Sequence, residues 1–426
     1  MSQRRRTVIG LCVAALGLAP PAPATDYALA SPFGIRALRV YAVSPSGEIT
    51  LQGMSSLPTQ SGRARVDVGG RFAVTFLGPH DLDIWRIHPN RTLSLAASVE
   101  EGPTRRYDAD IALSQDARVI LAVLRDYSDD SLEFRSFIVN NRLEPRATPG
   151  RLALTPDLGF LRMGLSDRVP YTALLTIPAD QAVAVLSVSP SGEITDTGQR
   201  IATGARLTVP LDFTPDGRWA ISGGSVNADI ALFEIHGDGT VTLADSIIFP
   251  IPLGARALRF LPLDNIALGF FGDGLAMGTA AFSPDSLLGD LIDTAPAGFS
   301  GPEAMDVNPA GTLALLDDQS GAGQFSLYSY FLSPGGELTP TGFTLAKPFK
   351  LADLQFIPPR TPVTLTGDAN VDGVVDAADV VFLVNEALPD DKPILLPPNF
   401  ANADLDQDVD VDQDDLEALV AMLVGE

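Results

Sequence analysis

The chain has 426 residues, of which 46% are hydrophobic and 19% are charged, so it can bury a core and is not a disordered polymer. Its formal net charge of −24 argues against nucleic acid and anionic membrane surfaces as partners. The 38 glycines and 34 prolines favour many turns over long helices, and three histidines are too few for a histidine-rich metal site.

The first 24 residues have the pattern of a signal peptide. Three arginines at residues 4–6 precede an apolar stretch at residues 7–19, and the small residues of 22–24 are typical of a signal-peptidase site. The paired arginines also allow export by the twin-arginine route. Cleavage after residue 24 would remove Cys12, the only cysteine, and leave a chain without disulfides. We therefore predict an exported protein, secreted, periplasmic or at the cell surface. No later apolar run has the length of a transmembrane anchor.

Residues 25–358 contain a repeat with a period of about 48 residues. The segment VSPSGEIT occurs at 43–50 and again at 188–195. Turn-forming residues recur in two interleaved series. The first series is Pro45, Pro89, Asn140, Pro190, Gly237, Pro284 and Pro334, and the second is Gly70, Asp116, Asp157, Asp216, Asp264, Ala310 and Pro358. Each period therefore holds two hairpins, or four short strands.

Seven repeats of four strands predict a seven-bladed β-propeller over residues 25–358. A single four-stranded sheet cannot bury both of its faces, whereas a ring of stacked blades buries them and leaves short edges. We predict that residues 38–51 form the outer hairpin of one blade, and that residues 351–358 form a lone inner strand closing the ring. A pair of packed sheets and a β-solenoid are the alternatives.

One stretch resembles a known family. The segments TPDGRWAISGG, at 214–224, and IALFEIHGDGTVTLADS, at 230–246, are similar to blades of lactonase-like propellers and their surface-layer relatives. This resemblance implies a fold and not an activity, and it assigns no catalytic residue.

Residues 367–426 form a separate acidic segment with 13 Asp, 3 Glu and one Lys. A disordered acidic tail is the simplest alternative, but the spacing of the acids argues against it. Side-chain oxygens at positions 1, 3, 5, 9 and 12 of a tight loop, with a backbone carbonyl at position 7, form a calcium site. In loop one these residues are Asp368, Asn370, Asp372, Asp376 and Asp379, with the carbonyl of Val374. In loop two they are Asp404, Asp406, Asp408, Asp412 and Asp415, with the carbonyl of Asp410. We therefore predict two bound calcium ions.

A helical pattern follows each loop, with apolar residues on one face: Val380, Leu383, Val384 and Leu388 after the first, and Leu416, Leu419, Val420 and Leu423 after the second. Two loop–helix units with Asp at position 12 resemble a type I dockerin, a small α-helical docking domain; an ordinary EF-hand pair is the alternative. The resemblance implies a cohesin-like protein partner.

Two features depart from the dockerin pattern. Loop two has Val409 at position 6, where glycine is usual, so we expect its calcium site to be the weaker. Positions 10 and 11 are Ala-Ala at residues 377–378 and Gln-Asp at 413–414, where cellulosomal dockerins commonly carry Ser-Thr. This departure puts membership of a cellulosome in doubt.

A proline-rich linker at residues 359–366 joins the two predicted domains.

The leading functional hypothesis is an exported, non-catalytic propeller that binds or scaffolds and docks through its calcium module. A polysaccharide or a cell-surface component is a further candidate partner. The alternative is a carbohydrate-active enzyme, a glycosidase, lyase or lactonase acting in polysaccharide catabolism, with the propeller as catalytic domain. Carboxylates converging in the central channel, beside arginine, would favour the enzyme.

Overall fold

A computed structural model describes residues 25–424. It leaves out residues 33–34, 57–62, 78–80, 101–108, 115–117, 126–131, 155–162, 167–169, 178–179, 205–206, 208–210, 215, 225–228, 249–254, 262–265, 272–275, 284–286, 297–303, 319–324, 360–364, 372–373 and 390–396. The predicted signal peptide and most of the predicted linker lie outside the described residues.

The described residues 26–357 form seven four-stranded antiparallel sheets, which we number as blades. Blade one consists of β28 (Leu351–Ile357), β1 (Asp26–Pro32), β2 (Ala37–Val43) and β3 (Ile49–Ser56). The remaining blades are, in chain order, β4 (Ala64–Val66), β5 (Phe72–Leu77), β6 (Asp81–Ile87) and β7 (Leu93–Glu100); β8 (Ala109–Leu113), β9 (Val119–Arg125), β10 (Leu132–Val139) and β11 (Pro145–Leu154); β12 (Met163–Leu165), β13 (Tyr171–Ile177), β14 (Ala182–Val188) and β15 (Ile194–Ala202); β16 (Asp212–Phe213), β17 (Trp219–Gly223), β18 (Asp229–Ile235) and β19 (Val241–Ile248); β20 (Ala255–Phe260), β21 (Ile266–Phe271), β22 (Ala276–Ser283) and β23 (Leu287–Pro296); and β24 (Met305–Val307), β25 (Leu313–Asp318), β26 (Phe325–Leu332) and β27 (Leu338–Lys347).

The blades close into a ring. Each inner strand contacts the inner strand of the next blade, from β4 through β8, β12, β16, β20 and β24 to β28 and back to β4. The outer strands make a second closed cycle in the same order. In every blade the outermost strand pair contains a register shift of the β-bulge type, which increases local twist. This is the propeller that the repeat predicts.

Blade one joins the two ends of the propeller chain. Strand β28 pairs with β1, so one strand from the C-terminal side completes three from the N-terminal side. The hairpin predicted at residues 38–51 is the outer pair of this blade, and residues 351–357 are its inner strand. The additional strand β1 had no counterpart in the sequence prediction. Gly70, at a φ of +62°, lies against the carbonyl of Pro358, where a Cβ would be 2.3 Å from the oxygen.

The first predicted series of turns is confirmed where the structure describes it, because backbone hydrogen bonds close tight turns after the third strand of six blades. Turns in the second series occur at residues 67–70, 214–217 and 308–311. Asp116, Asp157, Asp264 and Pro284 lie outside the described residues, and in blade four the first two strands are connected by residues 166–170, so the position predicted at Asp157 is displaced. Pro358 forms no hairpin because the propeller chain ends there.

The repeated octapeptide stabilises contacts between blades. Its glycine, Gly47 in the first copy, has a φ of +87° and its carbonyl accepts a 2.6 Å hydrogen bond from the Ser329 hydroxyl of the neighbouring blade. Ser136 donates in the same way to the carbonyl of Gly192 in the second copy. A Cβ on Gly47 would be 2.4 Å from Thr341. The repeat therefore needs glycine for both its turn conformation and its close approach to the next blade.

The acidic segment contains three short helices: α1 (Ala377–Phe382), α2 (Pro397–Ala403) and α3 (Gln413–Val424). They pack around a small core of Ala369, Leu383, Ala387, Phe400, Ala403, Val411 and Leu419. A π-helical turn, Leu383–Ala387, extends α1. The predicted apolar faces of both helices are only partly buried. Leu383 and Leu419 are buried, whereas Val384, Val420 and Leu423 are exposed. Among the helices that the structure describes, none combines the length and the apolar character needed to cross a membrane.

Candidate functional site

The inner strands of the propeller carry charged side chains that contact the neighbouring blades. Four of these strands carry an aspartate between apolar neighbours, at Asp110, Asp212, Asp306 and Asp353. Each aspartate accepts a backbone N–H from the inner strand of the adjacent blade, and the distances run from 2.6 to 3.4 Å. These carboxylates therefore link neighbouring blades, but the arginines beside them divide them into two groups.

The first group is a closed ion cluster around Arg65. Its guanidinium pairs with Asp353 and lies 3.5 Å from Oδ1 of Asp110. Both carboxylates are buried, at 2% exposure for Asp110 and 4% for Asp353. Burial acts to raise the pKa of Asp353, but the positive charges of Arg65, Arg63 and Arg259 outweigh it and the pKa is lowered. The lowered pKa keeps Asp353 ionised, and the cluster links the inner strands of neighbouring blades.

The second group surrounds Arg259 and has different electrostatics. The Nε of Arg259 donates to Oδ1 of Asp306 at 3.2 Å, while Phe356 N donates to Oδ2 at 2.6 Å. Burial raises the pKa of Asp306 to about 6, against the attraction of Arg259 and with the help of Asp212. Burial also raises the pKa of Asp212. The pKa of Arg259 is raised because Asp212, Asp306 and Asp353 together outweigh its desolvation.

These properties make Asp306 the chemically reactive candidate. Its side chain is 18% exposed, so it is more accessible than Asp110 or Asp353. A carboxyl group with a pKa near 6 exchanges protons close to neutral pH, as general acid–base catalysis requires. Arg259, permanently charged beside it, can stabilise a developing negative charge.

Sequence reasoning assigned no catalytic residue, and the structure identifies this cluster. A signal was available in the sequence. The inner strands read ADI, LDF, MDV and ADL around the four aspartates, so aligning the repeats would have shown a recurrent aspartate. The alignment would not have separated Asp306 from Asp353, because their surroundings differ through charged residues of other blades.

The structure describes five of the six expected ligand residues of calcium loop one; the sixth, Asp372, lies outside the described residues. Asp368 and Asp379 are buried, and Asp379 accepts hydrogen bonds from the backbone N–H groups of Asn370, at 3.1 Å, and Asp376, at 2.9 Å. Asp376 also caps α1 through a 2.6 Å bond from Ala378 N. Val374, at position 7, has its side chain exposed and would offer only its carbonyl.

Calcium loop two has the same arrangement. Asp415 accepts from the N–H group of Asp412, at 2.8 Å, as Asp379 does from Asp376 in loop one, and it accepts a further bond from Leu405 N at 2.6 Å. Residue 4 of each loop, Val371 and Gln407, has a positive φ, at 63° and 62°. The two loops therefore share one backbone design over their described residues.

The acids of loop two lie in two groups of three whose oxygens are within 4.8 Å of one another: Asp404, Asp406 and Asp408, and Asp410, Asp412 and Asp415. Burial raises the pKa of Asp415 to about 6, and burial also raises the pKa of Asp406, with a further rise from the neighbouring aspartates. An oxygen-only set of donors fits calcium, which takes six to eight hard oxygen ligands. The expected ligands of loop two thus fit the ion in chemistry, and within each group the carboxylates lie close together.

No protein-family profile matches the chain, and no curated protein matches it. Solved structures do. A periplasmic gluconolactonase of Pseudomonas aeruginosa is similar with a TM-score of 0.64 at 15% identity, over 78% of this chain and 99% of that one. A Bacteroides fragilis protein provisionally assigned as a 6-phosphogluconolactonase has a TM-score of 0.60 at 13% identity, over 79% and 99% of the two chains. A functionally unknown protein of Desulfotomaculum acetoxidans has a TM-score of 0.62 at 13% identity, over 78% and 99%. At these identities the likeness shows the fold alone, a β-propeller.

Proposed function

We propose that the propeller is a hydrolase that opens a sugar lactone or a related ring ester in its central channel, with Asp306 as general base. The observation that carries the proposal is a difference in acidity between two carboxyl groups of the inner strands. The pKa of Asp353 is lowered, whereas that of Asp306 is raised to about 6. Converging carboxylates beside arginine are the feature that favours the enzyme over the non-catalytic scaffold. The gluconolactonase neighbour supports this substrate class.

In the proposed reaction, ionised Asp306 takes a proton from a water molecule that attacks the lactone carbonyl. A new carbon–oxygen bond forms, and Arg259 stabilises the negative charge on the carbonyl oxygen. Collapse of this intermediate breaks the ring ester bond, and the proton held by Asp306 passes to the departing alkoxide. The product is the open hydroxy acid, and the carboxyl group of Asp306 returns to its starting state with no other reactant consumed.

A screen of the purified protein tests this function. Gluconolactone, other aldonolactones and a panel of polysaccharides are offered, and acid release or new reducing ends are measured against the spontaneous rate. Asp306→Asn should abolish the activity, whereas the matched change Asp110→Asn, in the closed ion cluster, should leave most of it in protein that remains folded. Failure of every lactone to be hydrolysed above the spontaneous rate would overturn the proposal.

We propose further that the paired loops bind two calcium ions, one in each loop. The repeated carboxylate and backbone arrangement of Asp379 and Asp415 supports two sites of one design. Calorimetry of the full chain with CaCl2 should detect two binding events. Docking to a cohesin-like partner and export from the cell remain predictions. Val384, Val420 and Leu423 would be available for docking because they are exposed on the helices.

A further inference from the structure

Loop two packs into the propeller. Val409 is fully buried and shares a cluster with Phe72 of blade two and with Ile111, Phe137 and Leu143 of blade three. The cluster lies at the seam between these two blades. Position 6 of the loop is therefore a hydrophobic anchor between the acidic module and the propeller.

Polar contacts surround this anchor. Asn141, which is 1% exposed on a turn of blade three, donates through Nδ2 to the carbonyl of Val411 at 2.9 Å and also to the carbonyl of Ala387. The guanidinium of Arg71 lies 4.4 Å from the ring centre of Phe400, a core residue of the module. A single asparagine thus holds loop two and the end of the helix that follows loop one.

Charge complementarity adds to these contacts. Arg86 of blade two pairs with Asp410, and its Nη1 is 3.5 Å from Oδ2 of Asp408. In the expected scheme Asp410 binds calcium through its carbonyl, so its side chain can hold Arg86 while the carbonyl faces an ion. In loop one the corresponding residue, Val374, is 55% exposed.

The backbone of loop two needs this support. Val409 has a φ of 81°, a left-handed conformation that a β-branched residue rarely adopts. Complete burial of its side chain in the apolar cluster offsets this strain. The valine that the sequence predicts to strain the loop is thus stabilised by its contact with the propeller.

We propose that loop two is an intramolecular docking element, in which calcium binding and the contact with the seam of blades two and three stabilise each other. The inference rests on the proposed calcium binding. Residues 408–411 belong both to the expected ion site and to the interface, so one loop conformation serves both. If contact with the propeller raises the calcium affinity of loop two by some factor, bound calcium must strengthen that contact by the same factor, because linkage between two sites is reciprocal.

Two measurements on the full chain test the coupling. Asn141→Ala removes interface hydrogen bonds without touching an expected ligand, so calorimetry with CaCl2 should show one of the two sites weakened by about fivefold to tenfold. In the wild-type chain, hydrogen exchange in CaCl2 compared with chelator should show calcium protecting β6 and β10 beside the seam, and leaving β26 of the distant blade seven unchanged.

Ser329→Ala is the matched control, since it removes a buried hydroxyl bond between blades far from the seam and should leave both calcium affinities unchanged. Calcium binding with unchanged exchange in β6 and β10 would overturn the coupling and leave the calcium proposal intact. An unchanged affinity in Asn141→Ala would do the same. Absence of calcium binding by the wild-type chain would overturn both proposals. If Asn141→Ala does not fold, hydrogen exchange of the wild type decides alone.

Discussion

Replacing Asp306 by asparagine should change how the stability of the propeller depends on pH. An aspartate has a pKa of about 3.9 in an unfolded chain, whereas burial raises the pKa of Asp306 to about 6 in the fold. The folded state therefore binds the proton of Asp306 more tightly than the unfolded chain does. The stabilisation that this bound proton gives to the fold is complete below about pH 4 and is lost as the pH rises through about 6. A shift of about 2 units corresponds to at most about 3 kcal/mol.

Asparagine has no such titration, but its amide oxygen can accept from only one of the two donors, Arg259 Nε and Phe356 N. The lost hydrogen bond costs about 1–3 kcal/mol at every pH, so it cancels when one pH is compared with another. The stability of Asp306→Asn relative to wild type should therefore increase by up to about 3 kcal/mol between pH 4 and pH 8.

Chemical denaturation followed by fluorescence at pH 4, 5, 6 and 8 measures this difference. In parallel, kcat/KM of the wild-type protein for the proposed lactone hydrolysis should rise with pH around an apparent pKa of about 6, because only ionised Asp306 accepts a proton. Asp353→Asn is the control: the pKa of Asp353 is lowered, so its stability difference should stay level from pH 5 to pH 8. A level or falling difference for Asp306→Asn would refute the electrostatic reasoning.

Three further predictions follow from other parts of the chain. Ser329→Ala removes the hydroxyl bond to Gly47 and should lower stability by about 1–2 kcal/mol, seen as a lower Tm, whereas Ser46→Ala, at an exposed hydroxyl of the same turn, should leave Tm unchanged. In calcium titrations Asp368→Ala should remove the site of loop one and Asp404→Ala that of loop two, so each variant should keep one binding event; two binding events in either variant would contradict the assignment of these ligands. Mass spectrometry of the secreted protein should find a mature N-terminus near Thr25, and an intact Met1 would refute the predicted cleavage.

The sequence alone determined the propeller because its signals are local. Turn residues report the backbone conformation of two or three neighbours, so Gly47 and Gly192 mark equivalent turns in separate blades. The spacing of acids in the calcium loops is local in the same sense, since twelve consecutive residues determine which oxygens can converge. Strand β1 was not predicted from the sequence, because its pairing with β28 joins residues more than three hundred positions apart.

Only the tertiary structure decided the channel chemistry and the role of Val409. Asp212, Arg259 and Asp306 come from three different blades, and the pKa of each depends on burial and charge that exist only in the closed ring. Val409 has the sequence signature of a weakened calcium loop, yet in the fold it is an apolar anchor buried against Phe72. The strain at Val409 is a property of its own backbone conformation, which the sequence pattern indicates. The burial that offsets the strain depends on propeller residues that only folding brings into contact with it.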